Sequence, residues 1–226
     1  MNKLWLIWKE PKERRRYVIG ELIYDENSYF FKYVNPELDD ARKVGFNYFP
    51  GFYDLEKTYE SKSLFANIET RLPNPNRPDY LEILNVYGLE IGSCKMDILR
   101  KTKGRLLTDN FEFIPVFDEK KIEFEVAGTR YYLTDSSLKE ELKINDNLEL
   151  EMENENLKDE FAIKVNYVID DKKHQLGYVP RYYSKQLTKL LKNKVMYSAK
   201  IESLNLETPL FNEDVTVSVK LIFKGK

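Results

Sequence analysis

Two tripeptides of the same composition, Arg130-Tyr131-Tyr132 and Arg181-Tyr182-Tyr183, carry side chains suited to a polyanion with flat rings along it. A tyrosine ring offers a π-face to a base, a stack worth about 1–3 kcal/mol in single-strand sites. An arginine offers a planar fork that matches a phosphate. Around the second tripeptide the charge is segregated. Eight cations fall between residues 172 and 200 (Lys172, Lys173, Arg181, Lys185, Lys189, Lys192, Lys194 and Lys200), with no Asp or Glu among them. Just upstream the sign reverses: Glu149, Glu151, Glu153, Glu155, Asp159 and Glu160 stand against Lys158 alone. On the helix expected at 182–193, Leu187, Leu190 and Leu191 share one face while Lys185, Lys189 and Lys192 point outward. Alone, that pattern reads first as a solvated helix face; the sharper reading is a patch that tracks phosphates. Tyrosine pairs in β proteins are also ordinary half-buried core residues, and Asn156 and Asp159 also suit a turn, where their side chains bond their own backbone.

Other chemistries lack parts. Cys94 is the sole cysteine and His174 the sole histidine, so neither a Cys/His zinc site nor an intrachain disulfide is available. No metal and no cofactor are expected. Cys94 is expected to be a small buried residue. His174 is expected in a polar turn, Asp170 to Gln175, far from any nucleophile elbow. Asp170-Asp171 reads as a hairpin loop, and no carboxylate spacing favours a nuclease. The expectation is a binding protein and not an enzyme.

The elements that must position these residues follow from periodicity. The segments 4–8, 16–24 and 28–34 are short aromatic and β-branched runs, read as an antiparallel meander. Residues 36–54 read as a loop whose aromatics (Phe46, Tyr48, Phe49, Phe52 and Tyr53) plug a core. Residues 55–72 have apolar positions near helical spacing and read as a helix ended by the prolines of 73–78. Residues 79–89 read as a second helix, with Asp79 as N-cap and Gly88 near the C-cap. Residues 97–117 read as a return to strands through a glycine turn. Arg71, Arg77 and Asp79 flank a proline-rich turn that reads as a helix connector, or as a partner-docking loop.

Beyond a charged spacer at 118–121 the texture changes. Candidate strands lie at 122–128, 147–152, 161–169, 176–180, 196–204 and 215–223, several of them alternating with period two, and short helices are expected at 136–143 and 182–193. So many short strands in about 100 residues suggest a small barrel. The formal net charge is −2, so nucleic-acid binding must come from a local patch. No apolar run is long enough to span a membrane, and the N-terminal apolar run is too short for a signal peptide. The expected location is the cytoplasm.

Val126, Gly128, Tyr131 and Tyr132 are followed by Glu153, Asn156, Asp159, Ala162, Ile163 and Val165, and then by Leu176 to Pro180 before a helix. This series resembles the HIRAN domain in order and spacing. The resemblance implies an OB-like β-barrel that binds single-stranded DNA, in its best-understood members at the 3′ end. It implies that Tyr131 stacks on a terminal base, Arg130 and Arg181 hold backbone, Asp159 accepts from the 3′ hydroxyl, and Asn156 braces that loop. Tyr132 and Tyr178 belong to the same motif, and Lys185 and Lys189 extend the basic face. End-binding members often carry a second ring before the acid; here Leu157-Lys158 stands instead, and Lys158 can bind phosphate but cannot stack.

In the first half, residues 20–33, 64–89 and 104–113 are similar to the N-terminal subdomain of HipA-like kinases. The catalytic segments of a kinase are absent. The chain is thus expected to be α+β and β-rich: a mixed α/β domain over 1–118, then the OB-like barrel with short helices over 119–226. The function expected is nucleic-acid binding, with the first domain as tether to a protein partner, for which a HipA-like kinase is the candidate. The alternative is an antitoxin-like protein that neutralises such a kinase by contact.

Overall fold

Alternation along the first strand shows how the sheet of the first half is built. Leu4 and Leu6 are fully buried and Trp8 nearly so, one side of β1 (Asn2–Lys9) facing a core. In the computed structural model, which describes residues 2–206 and 215–224, the chain divides into two units, Met1–Val116 and Phe117–Lys226.

In the first unit β1, β2 (Arg16–Asp25) and β3 (Ser28–Tyr33) form an antiparallel meander, extended by β4 (Tyr59–Ser61) on one edge and β5 (Phe111–Pro115) on the other. Aromatic side chains fill the core. Phe31, Phe49 and Phe52 are buried against one another, with Phe31 and Phe52 ring centres 4.1 Å apart. Gly20 makes room for this: a Cβ there would stand 2.9 Å from the Phe31 ring. The Tyr33 hydroxyl donates to the Phe52 carbonyl at 2.6 Å and accepts from the Phe49 amide at 2.7 Å, so it pins the aromatic loop to the sheet. Burial raises that hydroxyl's pKa to about 12. Tyr48 and Tyr53 of the same loop stay exposed.

Several local expectations are corrected here. Residues 55–72 are not one helix. Tyr59 pairs with Phe31 as an edge strand, and only Ala66–Glu69 (α2) makes a helical turn. Their apolar spacing arose from a strand, a loop and a turn that each face one core. Within 36–54, Glu37–Lys43 forms α1, and the Glu37 carboxylate accepts from the Val18 amide at 2.5 Å. α3 spans Tyr80–Val86, but Asp79 makes no cap bond, because its carboxylate holds the Arg77 guanidinium at 2.7 and 2.9 Å. Residues 95–102 form α4 (Lys95–Thr102) before the glycine turn. Cys94 is exposed at the start of α4, where its sulfur accepts from the Asp97 amide. Arg71 is buried. Its guanidinium lies 5.0 Å from the Phe49 ring centre and donates to the Gly104 carbonyl and the Asp109 carboxylate.

The second unit holds an antiparallel sheet in the order β6-β11-β10-β7-β8-β9. Its strands are β6 (Lys121–Glu125), β7 (Asn147–Met152), β8 (Ile163–Ile169), β9 (Lys172–Tyr178), β10 (Tyr197–Asn205) and β11 (Thr216–Phe223). Ile122 and Phe124 on β6, and Val217, Val219, Leu221 and Phe223 on β11, alternate into one buried layer. α7 (Arg181–Lys192) buries Tyr182, Tyr183 and Leu187; the Tyr183 ring lies 5.8 Å from that of Phe117, which lies 6.3 Å from that of Phe223 on β11. The short helices α5 (Thr129–Tyr132) and α6 (Ser136–Glu141) fill the connection from β6 to β7.

The OB-like barrel is not confirmed, because the sheet does not close. β6 and β9, its two outer strands, share no ladder. Their ends meet in a single bridge between Ala127 and Tyr178, whose two N–H···O bonds measure 2.8 and 2.9 Å. Among the described residues no helix is long and apolar enough to cross a membrane.

Candidate nucleic-acid interface

Gly128 places the first tripeptide. Its φ of +83° is one that residues with a Cβ rarely adopt, and it turns the chain from β6 into α5. Arg130, Tyr131 and Tyr132 therefore lie on a one-turn helix, and Arg181 to Tyr183 open α7; neither group stands on a strand. The hydroxyl of buried Thr129 donates to the Val215 carbonyl and anchors the turn. Tyr131 projects outward and is 68% exposed. The Arg130 guanidinium lies over its ring, 4.6 Å from the centre, and donates to its hydroxyl at 2.6 Å.

Tyr132 turns the other way, toward the segment 153–162. Its ring meets that of Tyr178 edge-on at 5.8 Å. Burial, and next its hydrogen bond with Tyr178, raise its pKa to about 12. Tyr178 in turn donates to Glu153 at 2.9 Å. Glu153 also takes the Asn156 amide at 2.6 Å and the Lys164 ammonium at 2.8 Å. One carboxylate thus joins β9, β8 and the loop that carries Asn156, Lys158 and Asp159.

That loop is closed by its own side chains. Asn156 Oδ1 accepts from the amides of Lys158 and Asp159 at 2.9 and 3.0 Å. Asp159 accepts from the Phe161 amide at 3.0 Å through one oxygen and from the Ser184 hydroxyl at 2.9 Å through the other. Arg181 donates to the Lys158 carbonyl at 3.0 Å. Thr188, one helical turn beyond Ser184, donates to the Phe161 carbonyl at 3.3 Å. A polar stripe on the buried face of α7 therefore clamps the loop. Ser184 and Thr188 escaped the sequence reading. Their signal was two small hydroxyls at i, i+4 on an otherwise apolar helix face.

Lys158 is exposed at the loop, Lys185 lies 5.6 Å from the Phe161 ring centre, and Lys189 is exposed one turn further along α7. The basic run is not uniform. Lys173 is held by Glu149 and Glu151 at 3.1 and 3.3 Å, so part of its charge is matched across the sheet. His174 lies in β9 opposite Tyr167 and not in a turn; the turn is Asp170-Asp171, both at positive φ. Among the described residues no group of three or more His, Cys, Asp or Glu is placed to hold a metal ion.

The Asn156 amide, the Lys164 ammonium and the Tyr178 hydroxyl together depress the Glu153 pKa from 4.5 to about 2. A depressed acid stabilises the fold above its unfolded pKa and loses that contribution as pH falls through its folded one. Glu153→Gln is expected to be less stable than the parent near neutral pH. The two denaturation midpoints should converge between about pH 4.5 and about pH 2. A constant gap across that range would show that Glu153 acts by packing alone.

Residues 120–220 match the HIRAN domain family. The crystal structure of the HIRAN domain of human HLTF is similar, with a TM-score of 0.36 and 23% identity over 46% of this chain and 74% of that one. A search of curated proteins finds no match. The matched stretch carries Arg130, Tyr131, Tyr132, Asn156, Lys158, Asp159, Tyr178, Arg181, Lys185 and Lys189. The comparisons do not support the resemblance of the first half to HipA-like kinases, nor a kinase as partner, nor the antitoxin alternative.

Proposed function

We propose that the second unit binds single-stranded DNA at a strand end, and that the chain acts by binding without catalysis of its own. One observation carries this reading: Tyr131 stands out in solvent with an arginine laid on its ring, on a turn fixed to the braced loop through Tyr132, Tyr178 and Glu153. An exposed ring on a rigid support is a platform for a base, since little conformational freedom is lost when the base stacks. In this reading Arg130, Lys158, Lys185 and Lys189 supply positive charge to the strand's phosphates. Asp159 keeps lone pairs beyond its two bonds within the protein and accepts from a terminal hydroxyl. Arg181 and Asn156 hold the loop in shape.

The test is a titration with fluorescent single strands whose 3′ ends are free or phosphate-blocked, with RNA of the same sequence alongside. Tyr131→Ala is expected to weaken DNA binding roughly 5- to 150-fold, the equivalent of about 1–3 kcal/mol of stacking. Asp159→Asn, which keeps one oxygen for the Phe161 amide and leaves the Ser184 hydroxyl the Arg181 carbonyl as acceptor, is expected to abolish the preference for a free end. Binding that ignores both variants and the block would overturn the reading.

A further inference from the structure

One turn of the first unit sorts its rings by type. Residues 48–53 read Tyr-Phe-Pro-Gly-Phe-Tyr. Phe49 and Phe52 are buried in the core, whereas Tyr48 and Tyr53, which flank them, are 46% and 69% exposed. The two tyrosine rings stand edge to face, with centres 4.9 Å apart and planes at 73°. Among the described residues neither hydroxyl has a hydrogen-bond partner, so the fold makes no polar use of them.

The backbone beneath the pair is fixed. The Phe52 amide donates to the Phe49 carbonyl at 2.9 Å across Pro50-Gly51, and Gly51 supplies the positive φ, +92°, that the turn needs. Asn67 donates to the Pro50 carbonyl. On the far side the Tyr59 hydroxyl accepts from the Asp54 amide at 2.7 Å and donates to the Asp54 carbonyl at 3.2 Å. Exposed rings on such a base lose little freedom when a partner covers them, and tyrosines so placed are common anchors of protein contacts.

The surrounding charge selects the partner. Over residues 37–60 six acids stand against three cations, in a chain whose total is −2. Some of these are already engaged. Glu37 takes the Val18 amide, Lys43 is bridged to Asp40, and the Lys57 ammonium lies 5.2 Å from the Tyr59 ring centre. Glu69 on α2, two residues beyond Asn67, is matched by Lys95. With these set aside, Asp39, Asp54, Glu56 and Glu60 stand against Arg42, and all five are exposed. Asp54 and Glu56 follow Tyr53 directly, and among the described residues neither is in an ion pair. A phosphate backbone or an anionic membrane is repelled by that balance, whereas a cationic protein segment is drawn to it. Arginine is the cation that suits both features, since its planar guanidinium stacks on a tyrosine face and forks a carboxylate. The inner side of the same turn already holds one in this way: the Arg71 guanidinium lies 5.0 Å from the Phe49 ring centre and pairs with Asp109.

We infer that the Tyr48–Tyr53 pair is a docking site for an arginine-bearing segment of a protein partner. The guanidinium stacks on a tyrosine ring and pairs with Asp54 or Glu56. The inference does not rest on DNA binding by the second unit.

The experiment selects binders from a library of random short peptides on the full-length protein, with its Tyr48→Ser/Tyr53→Ser variant as the subtraction. A recovered peptide is then titrated by fluorescence polarisation. The peptides that survive subtraction are expected to carry arginine. Tyr53→Ala should weaken their binding at least about fivefold, the threshold of an anchoring residue. Asp54→Asn/Glu56→Gln should weaken it as well and flatten its dependence on salt. Tyr48→Phe/Tyr53→Phe, which keeps both rings, should retain it. Since both tyrosines are exposed, the serine variant should melt with the parent; if it melts early, Asp54→Asn/Glu56→Gln serves as the subtraction in its place. Failure to recover any peptide that survives subtraction would overturn the inference, as would peptides without arginine or binding unchanged in the Asp54→Asn/Glu56→Gln variant. Sedimentation of the parent as a dimer that the serine variant loses would overturn it too, and would assign the pair to a second copy of this chain. Single-strand binding lost in the serine variant at parental stability would place nucleic acid on the pair instead.

Discussion

Gly177→Ala is expected to leave the first unit folded and to loosen the second at its candidate interface. Gly177 has a φ of +145°, and a Cβ there would fall far inside contact distance of the Ala127 carbonyl oxygen and 2.7 Å from Val126 Cγ1. Neither neighbour can step aside cheaply, since one is backbone and the other belongs to a core residue. The unfavourable backbone angle and the overlap together cost about 2–5 kcal/mol. The cheapest relief is to break the Ala127–Tyr178 bridge, the one link between the outer strands of the sheet. Breaking it frees α5 and with it Arg130 and Tyr131, while Tyr178 loses its place against Tyr132 and Glu153. The measurable result is a lowered melting transition for the second unit together with DNA affinity reduced at least as much as by Tyr131→Ala. A variant of parental stability and affinity would mean that the bridge supports nothing.

Arg71→Met is expected to destabilise the first unit by about 1–3 kcal/mol, the cost of leaving hydrogen-bonding groups without their donor, since Asp109 is only partly buried. Methionine refills much of the space between Phe49 and Phe111 but cannot donate. Asp109 then loses its cation, keeping the Phe111 amide at 3.1 Å, and the Gly104 carbonyl loses its donor. For a unit of this size each kcal/mol lowers the melting temperature by roughly 4–8 °C, so the shift is large and easily read by calorimetry. The double variant Arg71→Met/Asp109→Asn should recover part of the loss, because the abandoned charge is gone as well. If the double variant is as unstable as the single one, packing and not charge accounts for the arginine.

Arg71 also shows what the sequence could and could not disclose. Its neighbours Pro73, Pro75 and Pro78 marked a turn correctly, but no local pattern says that an arginine will face inward. Its partners lie more than thirty residues away, and a buried arginine is chosen by those partners. The same holds for 55–72, where apolar residues at helical spacing served a strand edge, a loop and a single turn. Strands with strict alternation, such as 147–152, were readable because one buried face imposes period two whatever the partner strand. The candidate interface was readable in type and order, through Tyr131, Tyr132, Asn156 and Asp159. Its wiring was not. That Glu153 gathers three donors, and that Arg181 and Ser184 secure the loop from a helix, depends on chain segments brought together by the sheet.

The clamp of Ser184 and Thr188 on Asp159 and Phe161 has a consequence in time as well as in space. The loop cannot lift from α7 by breaking one bond, since both hydroxyls engage it within a single stretch of three residues. Opening is therefore a joint event of loop and helix, and the amide hydrogens of both are exposed to exchange by the same fluctuation. A strand seated on the loop would slow that exchange along the first turns of α7 as well, so that the buried face of the helix records occupancy of the loop.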